Sequence, residues 1–161
     1  MACAALGAGL DISGPSGHMV VDIGGGTSNL AWIEAGKIQA TGCLNVGGRL
    51  IKFDENRRVT YVSPVISKLC KLKPGDPVTE LDLQPVAELL TQALEMAAGL
   101  REKTELFRKL WTKESGEHWE KSPENVTVSF SGGVADCIES THPPQSFGDM
   151  GPILGQAIRS S

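Results

Sequence analysis

Residues 20–54 read VVDIGGGTSNLAWIEAGKIQATGCLNVGGRLIKFD, and the fold turns on this stretch. An apolar run, Met19, Val20 and Val21, predicts a buried strand ending in Asp22, Ile23 and three glycines, Gly24, Gly25 and Gly26. Thr27, Ser28 and Asn29 follow, then a second strand-like run over 30–34, a turn at Ala35 and Gly36, and a third strand from Lys37 up to about Val46. Glycines let the backbone take φ > 0 and clear the inner face of the loop of Cβ atoms. Successive N–H groups can then converge on an anion, the nest arrangement that holds phosphate. A carboxylate at the mouth of such a loop, here Asp22, is suited to hold Mg²⁺ through water. The alternative is a plain hairpin whose glycines serve only the turn. Three glycines are more than a hairpin needs, and Asp22 would be an odd neighbour for them.

Two other glycine motifs do not fit. No lysine follows the glycines, which removes the P-loop. The loop leads into a strand rather than a helix, which removes the dinucleotide-binding βαβ unit and its helix-dipole contribution.

A chain of 161 residues with 40% hydrophobic content predicts one compact domain with its own core. Lys and Arg number 15 against 19 Asp and Glu, a net charge of −4, so electrostatics give no reason to expect nucleic acid or an anionic membrane as partner. No stretch approaches the roughly 20 apolar residues of a membrane helix. The N-terminal MACAALGAGLDISG lacks the basic start of a signal peptide. Cys3, Cys43, Cys70 and Cys137 show no CxxC spacing and His18, His118 and His142 are scattered, which predicts a reduced cytoplasmic setting and no structural zinc.

Outward from the glycine loop, residues 2–10 predict a small-residue helix and 13–18 a turn. Gly47 and Gly48 are expected to open a helix over 49–55, followed by a strand over 57–63 that Pro64 ends. Residues 66–78 are expected to be irregular, with a turn at KPGDP. Asp82 is expected to cap a helix with Pro85 in its first turn. Val86, Leu89, Leu90, Ala93, Leu94 and Ala97 recur at helical spacing on its buried face, and Gly99 weakens or ends it. Residues 101–111 predict a more charged helix and 112–124 an exposed polar segment. A last strand, from Asn125 to Ser129 or Phe130, runs into Ser131, Gly132 and Gly133 and a short helix, and ILGQAI predicts a terminal amphipathic one.

Taken together, the small-residue helix AALGAGLD, the loop DIGGGTSN, the segments LNVGGRLIKFD and SFSGGVAD and the helix GDMGPILGQAI resemble one lobe of the actin/heat-shock-70/sugar-kinase ATPase superfamily. Within it, the stretches DIGGGTSNLAWIEAGKIQATGCLNVGGRLI, FSGGVADCI and FGDMGPILGQAI resemble the EutA family of ethanolamine ammonia-lyase reactivating factors. The likeness is thin over about 101–124.

The resemblance implies an α/β fold: a ribonuclease H-like, actin-type ATPase lobe with a mixed sheet and flanking helices. It implies a single nucleotide-binding lobe over 1–161, with inter-lobe crossing helices at 1–12 and 148–161 and an inserted α+β subdomain at about 57–124. The family's proteins are longer, so the chain is expected to be one lobe excised from its upstream N-terminal partner lobe. The implied cofactors are ATP and Mg²⁺. Gly24, Gly25, Gly26, Thr27 and Ser28 would donate to the β- and γ-phosphates, and Asp22 would act catalytically by positioning Mg²⁺ or a water. Gly132 and Gly133 would admit the adenosine, with a looser claim for Gly47 and Gly48. Asn29 stands where heat-shock ATPases carry an acidic residue, implying slow turnover, and Val134 and Ala135 imply apolar base contacts.

The implied function is ATP-dependent exchange of damaged for intact adenosylcobalamin in ethanolamine ammonia-lyase, in the cytoplasm and in association with a bacterial microcompartment. A metabolic kinase of the same fold and an actin-like filament former are the alternatives. Trp111 and Trp119 mark a candidate partner surface within 101–124; the competing reading is that they anchor a local packing cluster.

Overall fold

A computed structural model describes residues 17–115, 126–140 and 148–161. Its principal sheet has the order β3-β2-β1-β6, from β1 (His18–Ile23), β2 (Ser28–Glu34), β3 (Lys37–Leu44) and β6 (Thr127–Ser131). β1, β2 and β3 form an antiparallel meander, whereas β6 lies parallel to β1 with Asp22 beside Ser131. Ala35 and Gly36 turn the β2–β3 hairpin with φ of 48° and 72°, the pairing a tight two-residue hairpin demands. A smaller antiparallel pair, β4 (Ile51–Phe53) and β5 (Val59–Val62), follows the meander.

Four α-helices, α1 (Glu80–Ala97), α2 (Glu105–Leu110), α3 (Ala135–Glu139) and α4 (Gly151–Ser160), and one 3-10 turn (Lys113–Ser115) complete the described residues. The apolar stripe of α1 buries Val86, Leu90, Ala93, Leu94 and Ala97, with Leu83 and Met96. It shares one core cluster with Met19, Val21, Ile23 and Leu30 of the sheet and with Ile153, Leu154 and Ile158 of α4. Side chains alternate across a strand, so Val20, Ala31 and Ile33, also buried, leave the sheet on its other face. Gly99, at φ +78°, ends α1: its amide and that of Leu100 return to the carbonyls of Met96 and Glu95 (3.4 and 2.9 Å), a Schellman closure.

Several expectations are corrected. The helix predicted over 49–55 is strand β4, because Ile51 and Phe53 are buried on either side of exposed Lys52 and Lys52 lies opposite Tyr61. Thr79, not Asp82, caps α1; Asp82 sits one turn in, where its Oδ2 accepts from the Thr79 amide (2.8 Å) and hydroxyl (2.6 Å). Pro85 therefore lies beyond the first turn, inside the helix. His18 belongs to β1 rather than to a turn, and β6 runs on to Ser131. The helix expected over 101–111 is shorter, with Thr104 as its N-cap. Trp111 is half-buried, its ring 5.5 Å from that of Phe107 and seated over Gly42, where a Cβ would stand 2.0 Å from the indole. It therefore packs rather than displays a surface. The predicted helix over 2–10, most of the 112–124 segment, Asn125, Trp119, His118 and His142 lie outside the described residues.

Candidate nucleotide site at the ends of β1 and β6

Parallel neighbours end side by side, so the loops after β1 and β6 leave the same edge of the sheet, the place where open α/β sheets form ligand crevices. A cavity of about 860 Å³ opens there, lined by Gly24, Gly25, Gly48, Arg49, Lys52, Phe53, Gly133, Val134, Asp136 and Asp149 among others.

Asp22 is half-buried at the end of β1, and its Oδ1 accepts from the Ser131 hydroxyl (3.2 Å), tying the two strand ends together. Its register partner on β2 is Asn29. In the loop, the Gly24 amide donates to the Thr27 carbonyl (2.9 Å) and so is already engaged. Ser28 is fully buried and its hydroxyl donates to the Val46 carbonyl (2.7 Å), which corrects the expectation that this hydroxyl faces a phosphate. The amides of Gly25, Gly26 and Thr27 have no acceptor among the described residues. None of Gly24, Gly25 and Gly26 takes the positive φ expected of this loop, yet three successive unpaired amides in one turn are donors open to an anion.

Residues 47–49 strap this loop from behind. The Gly48 amide donates to the Gly24 carbonyl (3.1 Å) and the Arg49 amide to the Gly25 carbonyl (2.6 Å). Gly47 lies against the backbone of Gly25 and Gly26 with no room for a Cβ. Gly48 meets Gly151 and Val134 at the other side.

The glycine pair after β6 divides into two roles. Gly132 has φ +89°, and a Cβ there would strike the Ile23 carbonyl oxygen (2.4 Å) and Asp22 Oδ1 (2.7 Å), so its need for glycine arises within the protein rather than from a ligand. Among the described residues, no atom lies within 4 Å of a Cβ position on Gly133. Val134 and Ala135 are buried beside it.

Sequence reasoning missed four charged residues on the cavity wall: Arg49 and Lys52 from the strap and β4, and Asp136 and Asp149 opposite. A cation directly after the Gly47 and Gly48 pair was the available signal. Arg49 Nε lies 3.8 Å from Asp149 Oδ2, and Asp149 Oδ1 accepts from the Gly151 amide (2.9 Å) at the start of α4. Cys137 faces the same cavity with its thiol pushed above the ordinary range, first by burial and then by the charges of Asp136 and Asp149. Among the described residues, no group of three or more His, Cys, Asp or Glu is placed to hold a metal, and no helix is long and apolar enough to cross a membrane.

A family model described as "Ethanolamine utilisation protein EutA" matches residues 2–161. The chain belongs to the EutA family. The ethanolamine ammonia-lyase reactivase EutA of Salmonella typhimurium (strain LT2) is 32% identical over 155 residues, covering 86% of this chain and 30% of that relative. Its counterpart in Escherichia coli (strain K12) is 34% identical over 148 residues, with the same coverage. This EutA-family chain thus spans about 30% of the length of the curated relatives it matches. The cell shape-determining protein MreB of Escherichia coli (strain K12) is 46% identical over 94 residues, 50% of this chain and 26% of MreB. The family's fold is accordingly the α/β, actin-type one, a mixed sheet with flanking helices.

Proposed function

We propose that this chain is the nucleotide-binding lobe of an ATPase that reactivates ethanolamine ammonia-lyase by exchanging damaged for intact adenosylcobalamin. Membership of the EutA family and the reactivase names of its relatives support the partner. The observation that carries the nucleotide reading is the meeting of three unpaired loop amides, Gly25, Gly26 and Thr27, with the open backbone of Gly133 at one end of β1 and β6.

The residues present fit Mg²⁺-ATP. The amides of Gly25, Gly26 and Thr27 would bind phosphate oxygens, with the Thr27 side chain exposed beside them. Asp22 gives one oxygen to Ser131, and the other has no partner among the described residues, as a carboxylate that holds Mg²⁺ through water requires. Gly133 lets the backbone approach the adenosine, and Val134 and Ala135 give the base an apolar floor. Asn29, opposite Asp22, has no carboxylate to take a proton from an attacking water, which accords with slow turnover. ATP supplies the phosphoanhydride whose cleavage drives the exchange.

In this reading α4 is the crossing helix to an upstream lobe, and the phosphates hold both lobes in the closed state of a two-state cleft. The corresponding setting is the cytoplasm, in association with a microcompartment. The test combines the chain, extended by that upstream lobe, with cobalamin-inactivated lyase, Mg²⁺-ATP and fresh adenosylcobalamin. ATP-dependent recovery of lyase activity is expected. A phosphorylated small molecule would indicate a kinase instead, and pelleting with ATP a filament former.

A further inference from the structure

Arg49 joins the glycine loop to the segment that opens α4. Its amide is fixed to the Gly25 carbonyl (2.6 Å), and its Cδ lies 3.1 Å from the position a Gly25 Cβ would take, so its stem runs along the loop. Its head group is far less constrained. The Arg49 side chain is 73% exposed and its charged partner, Asp149 at 3.8 Å, is 12% exposed. With the guanidinium largely in solvent and the contact at 3.8 Å, the pair holds weakly. A guanidinium offers five N–H donors, and most of those on Arg49 have no protein acceptor among the described residues. Asp149, by contrast, is anchored through its bond from the Gly151 amide (2.9 Å). Lys52, the other cation on the described wall, is placed over the Tyr61 ring, 5.8 Å from its centroid. Arg49 is thus the lining cation whose stem lies on the loop with the unpaired amides.

We propose that Arg49 is a ligand of the polyphosphate held at the glycine loop, and that Asp149 competes with that phosphate for its guanidinium. The proposal rests on the nucleotide reading above and deepens it. The planar fork of an arginine matches two phosphate oxygens at once, and a phosphate carries more charge than one carboxylate. Exchange of Asp149 for phosphate also unties the glycine loop from the start of α4, so occupancy of the loop is felt at that helix.

The test is a set of amide-shift titrations of the protein with Mg²⁺-ATP, ADP and AMP, which resolve millimolar affinities. Arg49→Ala is expected to weaken ATP and ADP roughly ten- to a hundredfold, the worth of a lost charged hydrogen bond, while leaving AMP unchanged. Arg49→Lys should recover part of the loss. Asp149→Asn keeps an oxygen for the Gly151 amide but removes the competing charge, and should tighten ATP by up to about fivefold. The exposed Arg49 side chain carries no core contact, so the fold should survive, as far-UV circular dichroism would verify. Unchanged ATP affinity in Arg49→Ala, equal losses for ATP and AMP, or weaker ATP binding by Asp149→Asn would overturn the assignment while the nucleotide reading stands. Absence of any nucleotide binding by the unaltered protein extended by its upstream lobe would overturn the nucleotide reading itself, and this proposal with it.

Discussion

Gly47 stands so close to Gly25 that a Cβ on Gly47 would lie 2.4 Å from the Gly25 carbonyl oxygen and 2.7 Å from the Gly26 nitrogen. These contacts are with backbone, which cannot swing aside as a side chain can. A Cβ on Gly25 would instead meet the Arg49 Cδ at 3.1 Å, part of a flexible, exposed side chain. The two glycines therefore predict different effects on stability, though both should lose nucleotide binding. Gly47→Ala should push the loop out of shape, costing about 1–3 kcal/mol by overpacking and abolishing nucleotide binding. Gly25→Val should keep the fold and lose nucleotide binding by crowding the cavity side of the loop. Thermal melts paired with nucleotide titrations separate them; normal ATP binding by either variant would refute its half of the contrast.

Gly132 needs glycine for two reasons, its φ of +89° and its approach to the Ile23 carbonyl. Gly132→Ala should therefore destabilise the protein by at least about 1–3 kcal/mol from backbone strain alone. Gly133→Ala, facing open space, should leave stability nearly unchanged and act on nucleotide affinity. Denaturant unfolding of the two variants checks this, and equal stability losses would contradict the division of roles.

Asp82 provides a pH prediction. The Thr79 hydroxyl, then the Thr79 amide, hold its carboxyl below the ordinary aspartate range. A carboxylate depressed in the folded state stabilises the protein above its unfolded pKa, and the benefit is lost as pH falls through the folded value. The melting-temperature advantage of the native protein over Asp82→Asn should therefore be full at neutral pH and shrink below about pH 4. An advantage that grows on acidification would contradict it.

Cys137 is 2% exposed and its thiol is pushed upward by burial and by two neighbouring aspartates, whereas Cys43 and Cys70 are half-buried. A thiolate-selective reagent at pH 8 should label Cys43 and Cys70 well before Cys137. Mass spectrometry of partially labelled protein gives the order, and early labelling of Cys137 would mean that its side of the cavity is open.

The sheet and the long helix were legible because their signals are local. An apolar run meeting three glycines has one economical reading, and the spacing of Val86, Leu90, Ala93 and Ala97 needs no knowledge of what they touch. Strand β4 was not legible: two buried residues flanking one exposed residue, Ile51 to Phe53, fit a helical turn equally well, and what decides them is pairing with Tyr61 and Val62 and a bridge to Asp149. The same limit applies inside the site. Ser28 has the composition of a phosphate ligand, but its acceptor is the Val46 carbonyl, 18 residues away, so its diversion into the fold appears only in three dimensions. Arg49 and Asp149 are a pair that no sequence window contains.

The most direct test of the account is an amide-resolved titration of the isotopically labelled chain with Mg²⁺-ATP. The account predicts that the largest shifts fall on Gly25, Gly26 and Thr27, with smaller ones on Gly133 and Val134 and little change on the Gly24 amide, already bonded to Thr27. Shifts absent from the loop, or gathered instead between α1 and α4, would contradict the assignment of the β1–β2 turn as the phosphate site.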